Sequence, residues 1–221
     1  ASSDPFTLHT GNLDPRLDYT AGRRGIDYNG WGPAAGKDWI RASFDDISGP
    51  YLSKKNMYHA GDDANRGTGG WGEQRSGINY HFIRYSDVLL MAAEAAVEAG
   101  NISKALGYVN QVRNRAKNST PPDSQPTYVI EPYTSFASAD YARKAVRFER
   151  RLELGMEGHR LFDLRRWGNS ASVMNTYFAK EAEVVTSFAR GQSYQGKHDL
   201  FPIPIVAIDQ SQGVIIQNSG Y

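Results

Sequence analysis

The sequence predicts a mainly α protein, a tetratricopeptide-like αα-superhelix with long ordered loops and few short strands. Three observations predict it. Two helical stretches, "YSDVLLMAAEAAVEAG" and "KALGYVNQVRNRAK", are separated only by a short break and read as an αα-hairpin. A longer helical run, "ADYARKAVRFERRLELGMEGHRLFDLRRWG", follows a Pro/Ser-rich linker over residues 118 to 133. Ahead of all three, residues 1 to about 80 are dense in Gly, Asp, Asn, Arg and aromatics, with almost no helical period.

The first helix, starting at Tyr85, is alanine-rich and apolar on most faces, so it belongs in a core. Gly100 and Asn101 stop it, and Ser103 is the expected N-cap of the second helix, which carries Leu106, Val109 and Val112 on one face. Ala93 and Ala105 stand where the two helices of a tetratricopeptide unit approach closely. One such unit cannot bury its own faces, so other helices must supply its partners. Helix resumes near Ser138, runs through residue 168 and again from 170 to about 190. The tail, "LFPIPIVAIDQSQGVIIQNSGY", is expected to be extended, with Pro202 and Pro204 forbidding helix.

Within the long run, "RFERRLELGMEGHRLFDLRRWG" combines many arginines with large apolar residues. Phe148, Leu152 and Met156 recur at four-residue steps and predict a stripe facing the core. Glu149, Glu153 and Glu157 form an adjacent row within helical reach of Arg150 and Arg160, and Asp163 stands three residues beyond Arg160. Gly155 and Gly158 permit a bend. The stretch reads as a paired charge network around an aromatic corner. His159 with Glu157 and Asp163 is the one acid–base grouping in it, and no nucleophile or phosphate loop accompanies them.

Bulk composition narrows the function classes. The 221 residues are 40% hydrophobic and 22% charged, and Lys plus Arg (25) nearly cancels Asp plus Glu (24). No basic field exists to gather nucleic acid. Without cysteine, disulfides and thiolate metal sites are excluded, and no carboxylate or His spacing matches a metal-ligand pattern. No apolar run approaches the roughly 20 residues of a membrane helix. The opening "ASSDPFTLHTG" lacks the features of a signal peptide, leaving either a cytoplasmic protein or an interior piece of a longer one.

Several blocks in order resemble the C-terminal half of the SusD/RagB family: "DPRLDYTAGRRG", "GKDWIR", "RYSDVLLMAAEAAVEAG", "ERRLELGMEGHRLFDLRRWG", "LFPIPIVAID" and "QNSGY". The resemblance implies a surface-exposed outer-membrane lipoprotein that captures glycans, or in some cases peptides, and sits over a SusC-like TonB-dependent transporter. Members run to about twice this length. The resemblance therefore implies a missing N-terminal half that carries the lipid anchor and further helical hairpins. The expected organisation is a loop-rich, ligand-facing segment over 1–80 and a helical region over 81–221, together one domain.

The loops carry the candidate site. A pyranose offers a face of C–H groups, which a flat aromatic ring covers, and an edge of hydroxyls, which Asn, Asp, Arg and Gln engage. Segments 27 to 41 and 62 to 75 interleave these types. The candidate ligand-binding residues are Tyr28, Asn29, Trp31, Asn65, Arg66 and Trp71; Trp39 reads as a packing anchor. No catalytic residue, metal ligand or cofactor is assigned. The expected function is non-catalytic capture of oligosaccharide or polysaccharide. The alternatives are a protein-interaction module, a peptide-binding nutrient receptor, or a glycoside hydrolase, for which no pair of carboxylates stands out.

Overall fold

The computed structural model describes residues 5–39, 51–67, 69, 76–183 and 191–221. It divides into two compact units, a first ending at His159 and a second beginning at Arg160. The architecture is helical, with seven α-helices and one two-stranded sheet among the described residues.

In the first unit, α1 (Arg16–Thr20) leads into β1 (Ala21–Gly22), which pairs antiparallel with β2 (Leu52–Ser53). Three longer helices follow: α2 (Tyr85–Glu98), α3 (Ile102–Lys117) and α4 (Ala139–Glu153). Each of these three packs on the other two. Leu90, Ala93, Ala105, Val109, Ala142 and Val146 are fully buried at their junction. Alanine at the crossings lets the helix axes close up, as the tetratricopeptide reading requires.

The α2–α3 turn has three residues, Ala99, Gly100 and Asn101. Gly100 takes φ 76°, its amide donates to Val97 O (3.0 Å), and the Asn101 amide donates to Ala96 O (2.8 Å). That pair of bonds closes the helix end, and glycine makes the left-handed step without Cβ strain. Asn101 then caps α3, its side-chain oxygen accepting from the Lys104 amide (3.1 Å). The expected cap, Ser103, instead lies inside the first turn. The helix starts two residues earlier because Asn101 already sits at its mouth.

Two other expectations on α4 are corrected. Phe148 and Met156 are 51% and 58% exposed, and the buried face is Ala142, Ala145, Val146, Glu149, Arg150 and Glu153. Charge lies inside and grease outside, because the inward carboxylates meet cations from other segments. The helical run also breaks after Glu153. Met156 (φ 63°) and Gly158 (φ 81°) turn the chain, and the next helix starts at His159.

The second unit opens with α5 (His159–Arg166), then α6 (Ser170–Glu181) and α7 (Ile205–Gln210). Asn175 clasps the Tyr194 backbone through both amide atoms (2.7 and 3.0 Å), and Ser170 Oγ donates to Asp199 (2.6 Å). The tail is not wholly extended. Pro204 stands at the N-cap of α7 with φ −55°, where a missing N–H costs nothing because the first helical amides lack partners anyway. Residues 201 to 204 are the extended part, and Gln217 braces them by bonding both Ile203 N and Ile203 O (2.8 and 2.9 Å).

Candidate functional site

The site grows from the acidic row of α4, and every residue described in it lies in the first unit. Glu149 and Glu153 lie one turn apart on α4, Glu157 follows in the turn beyond its end, and the segments around α4 bring cations to all three. Glu149 accepts from Arg16 Nη1 (2.6 Å) and Arg113 Nη1 (2.9 Å). Glu153 accepts from Arg84 Nη1 (2.6 Å), Arg16 Nη1 (3.1 Å) and Arg115 Nη2. Glu157 accepts from Lys55 Nζ (2.5 Å) and from Arg84 Nε and Nη2 (2.7 and 2.9 Å). Arg150 turns instead to Asp87 of α2 (2.7 Å). The paired network exists as expected, but its partners lie tens of residues away.

Lys55 and Arg84 also donate to the Glu153 carbonyl (3.0 and 2.6 Å), one of the last carbonyls of α4. They therefore satisfy an orphan acceptor and oppose the negative end of the helix dipole. Burial pushes the Glu153 and Glu157 carboxyls up. Arg115, Arg84 and Arg16 around Glu153, and Arg84 and Lys55 on Glu157, outweigh it and hold both below the usual carboxylate range. For the Lys55 amine burial wins, and its pKa falls despite the Glu157 contact.

This floor opens into a cleft of about 600 Å³. Lys55, Arg84 and Glu157 line its base; Asn56, Met57 and His59 form one wall, and Asn65, Asn79 and His81 the other. The second wall is fastened locally. Asn65 O accepts from the Gly77 amide (2.8 Å), its side-chain amide donates to Asp62 (2.6 Å), and Arg66 bridges to Ser76. A Cβ on Gly77 would lie 3.2 Å from the Asn65 Cα, so this close approach calls for glycine. Tyr80 ties the same wall to the base by donating to Glu157 O (3.0 Å). Met57 also borders a neighbouring hollow of about 330 Å³, lined by Tyr28, Trp31, Tyr58 and Arg66.

The candidate residues divide between these two spaces. Asn29 and Asn65 line the cleft. Asn29 is buried in a left-handed conformation (φ 53°), and its side chain donates to Lys54 O (3.1 Å). Tyr28, Trp31 and Arg66 line the hollow. Tyr28 is only 8% exposed, donates to Ser53 O (2.5 Å) and packs edge-on against Trp39, so most of its ring holds the loop. Trp31 is 53% exposed, and its indole N–H is anchored on Tyr58 O (3.1 Å), leaving a broad ring surface free. Arg66 pairs with Asp63 at the surface (3.0 Å). Trp71 lies outside the described residues. Lys55, His59, Asn79, His81 and Arg84 escaped the sequence reading of the site. They come from loop and helix-start positions far apart in the chain, and no spacing joins them.

Taken together, the fold and the cleft define a tetratricopeptide-like helical scaffold that presents an open polar cleft on ordered loops. Within that class, the chain belongs to the SusD family, whose profile matches residues 1–221. A SusD-like protein of Formosa agariphila is 29% identical over 178 residues, which is 79% of this chain and 31% of that protein. A second SusD-like protein of the same organism is 36% identical over 88 residues, 39% of this chain and 15% of its own length. Among solved structures, a SusD superfamily protein from Bacteroides vulgatus superposes with a TM-score of 0.63 at 22% identity, covering 95% of this chain and 40% of that one. Surface glycan-binding protein A from Bacteroides thetaiotaomicron superposes at 0.52 and 24% identity, covering 93% of this chain and 38% of that one. The chain thus spans less than half the length of the relatives it matches, and the structural likeness speaks for the fold alone.

Proposed function

We propose that this chain is part of a non-catalytic glycan-binding protein of the bacterial cell surface. The observation that carries the reading is the pairing of an open, amide- and imidazole-lined cleft with the half-exposed Trp31 ring of the neighbouring hollow, Met57 bordering both. Asn65, Asn79, His59 and His81 offer both donors and acceptors, as a ring of sugar hydroxyls requires, and Trp31 offers a flat apolar face for the C–H side of a pyranose. Family membership and the surface glycan-binding relative support the same reading. Glu157 is held ionised by Arg84 and Lys55, which suits a binding surface better than a general acid. Delivery to a SusC-like TonB-dependent transporter in the outer membrane, and a lipid anchor on a preceding half of the protein, complete the proposal.

A tryptophan-fluorescence titration of the chain against oligosaccharides and polysaccharides, with a product assay on the same samples, tests it. A saturable response without product is expected, and Trp31→Ala should weaken binding by roughly tenfold. Product release, or silence across the panel from folded protein, would remove the proposal. A protein- or peptide-docking role is the second reading, favoured by the exposed Tyr85, Val88 and Met91 along α2.

A further inference from the structure

Beside the cleft, and sharing Tyr19, Lys55, Arg84 and Glu157 with it, lies a smaller hollow of about 250 Å³. Arg16, Arg115, Thr20 and Glu153 complete the part of its wall that matters here. Four cations, Arg16, Lys55, Arg84 and Arg115, face two carboxylates, Glu153 and Glu157. Adding the groups bonded behind them, Asp14, Glu149 and Arg113, gives five cations against four carboxylates, a surplus of one positive charge.

The carboxylates are already occupied. Glu153 accepts from three arginines and Glu157 from Arg84 and Lys55. What remains unspent is donors. Arg115 commits only Nη2, to Glu153, which leaves Nε and Nη1 of an exposed guanidinium. Lys55 Nζ has two acceptors for its three protons. A hollow rich in spare donors, poor in spare acceptors and positive by one charge favours an acceptor-only, negatively charged group over a neutral hydroxyl.

We propose that this hollow is an oxyanion subsite, taking a carboxylate or sulfate group carried by the cleft's ligand. That the carrier is a sugar rests on the glycan reading; that the group is an oxyanion does not. The ligand class this selects is an acidic glycan, bearing uronate or sulfate ester.

The test titrates the whole chain with inorganic sulfate, with glucuronate and with glucose, at constant ionic strength made up with sodium chloride. Arginine Nε–H resonances report binding. Saturable shifts with sulfate, glucuronate or both are expected, and glucose should give none at Arg115. Sulfate alone would point to a sulfate ester, glucuronate alone to a uronate. Arg115→Gln, at an exposed position, should weaken the anion roughly tenfold. Lys117→Gln, whose partner is Glu131 at the surface, should change nothing. No saturable response to either anion, or one unaltered in folded Arg115→Gln, overturns the subsite. A neutral oligosaccharide that binds where the anions do not would overturn the subsite and leave the glycan reading standing. Sulfate binding without any oligosaccharide binding would do the reverse.

Discussion

The helical hairpin and the described loops of the chain's opening, residues 5–39 and 51–67, are held by different forces. In residues 85 to 117 nearly every backbone hydrogen bond is local, and burial of Leu90, Ala93, Val97, Ala105 and Val109 supplies the packing. Residues 13–39 and 51–60 have little regular structure and few buried apolar side chains. Their anchors are polar and distant: Arg16 on Glu149 and Glu153, Lys55 on Glu157, Arg23 and Tyr128 on Asp18, and the Asp27 amide on Asp123. Loops without a hydrophobic stripe are fastened to the helices by charge, and α4 is the element that carries the fastening row. The cleft sits where the two kinds of cohesion meet.

The largest effect expected is from breaking that row. Glu153→Ala leaves Arg16, Arg84 and Arg115 without their common acceptor, at a cost of about 3–5 kcal/mol, seen as a lower denaturant midpoint. Its distinguishing mark is regional. Hydrogen exchange should quicken first in residues 13 to 60, whereas Leu90→Ala, costing about 2–5 kcal/mol through a core cavity, should quicken α2 and α3 together. Equal patterns in the two variants would erase the distinction drawn here.

Acid separates the regions without mutation. The Glu153 and Glu157 carboxyls are lowered in the folded state, so the stability they confer is complete above the unfolded value near 4.5 and is lost as pH falls through their depressed folded values. Limited proteolysis at about pH 3 should therefore cut the loops while the hairpin resists, and at about pH 6 should cut neither. Simultaneous loss of both regions would contradict the charge-fastened account. The smallest effect is expected in the hairpin turn: Asn101→Ala removes the α3 cap and costs about 1 kcal/mol, read as a modest fall in Tm with the acid behaviour unchanged.

Much of the hairpin was legible. The apolar period of α2 and α3, the alanines at 93 and 105, and the Gly–Asn stop are local signals, and the structure follows them to within two residues. The errors were local too. Reading Phe148, Leu152 and Met156 as the inward stripe assumed that apolar means buried. On α4 the better-packed face is the charged one, because five cations arrive from elsewhere to meet it. Pro204 looked like a helix breaker and is a helix starter, since position within the first turn decides which role a proline plays. Of the site, Asn29 and Asn65 were named, and polar residues that line the cleft with them, such as Lys55, Asn56, His59, Asn79, His81 and Arg84, were not.

By itself, then, the sequence determined the longer helices, the hairpin and the family, because each is written in contiguous residues whose interactions close within a few positions. It also determined that a dense local charge in a neutral chain had to be paired. Only the tertiary structure decided with whom. The distances from Glu153 to Arg16, Arg84 and Arg115 are set by how α1, α2 and α3 gather on α4, and chain spacing carries no record of that arrangement. The surplus donors that make the oxyanion subsite are what remains after those pairings are made, and so they too became visible only in three dimensions.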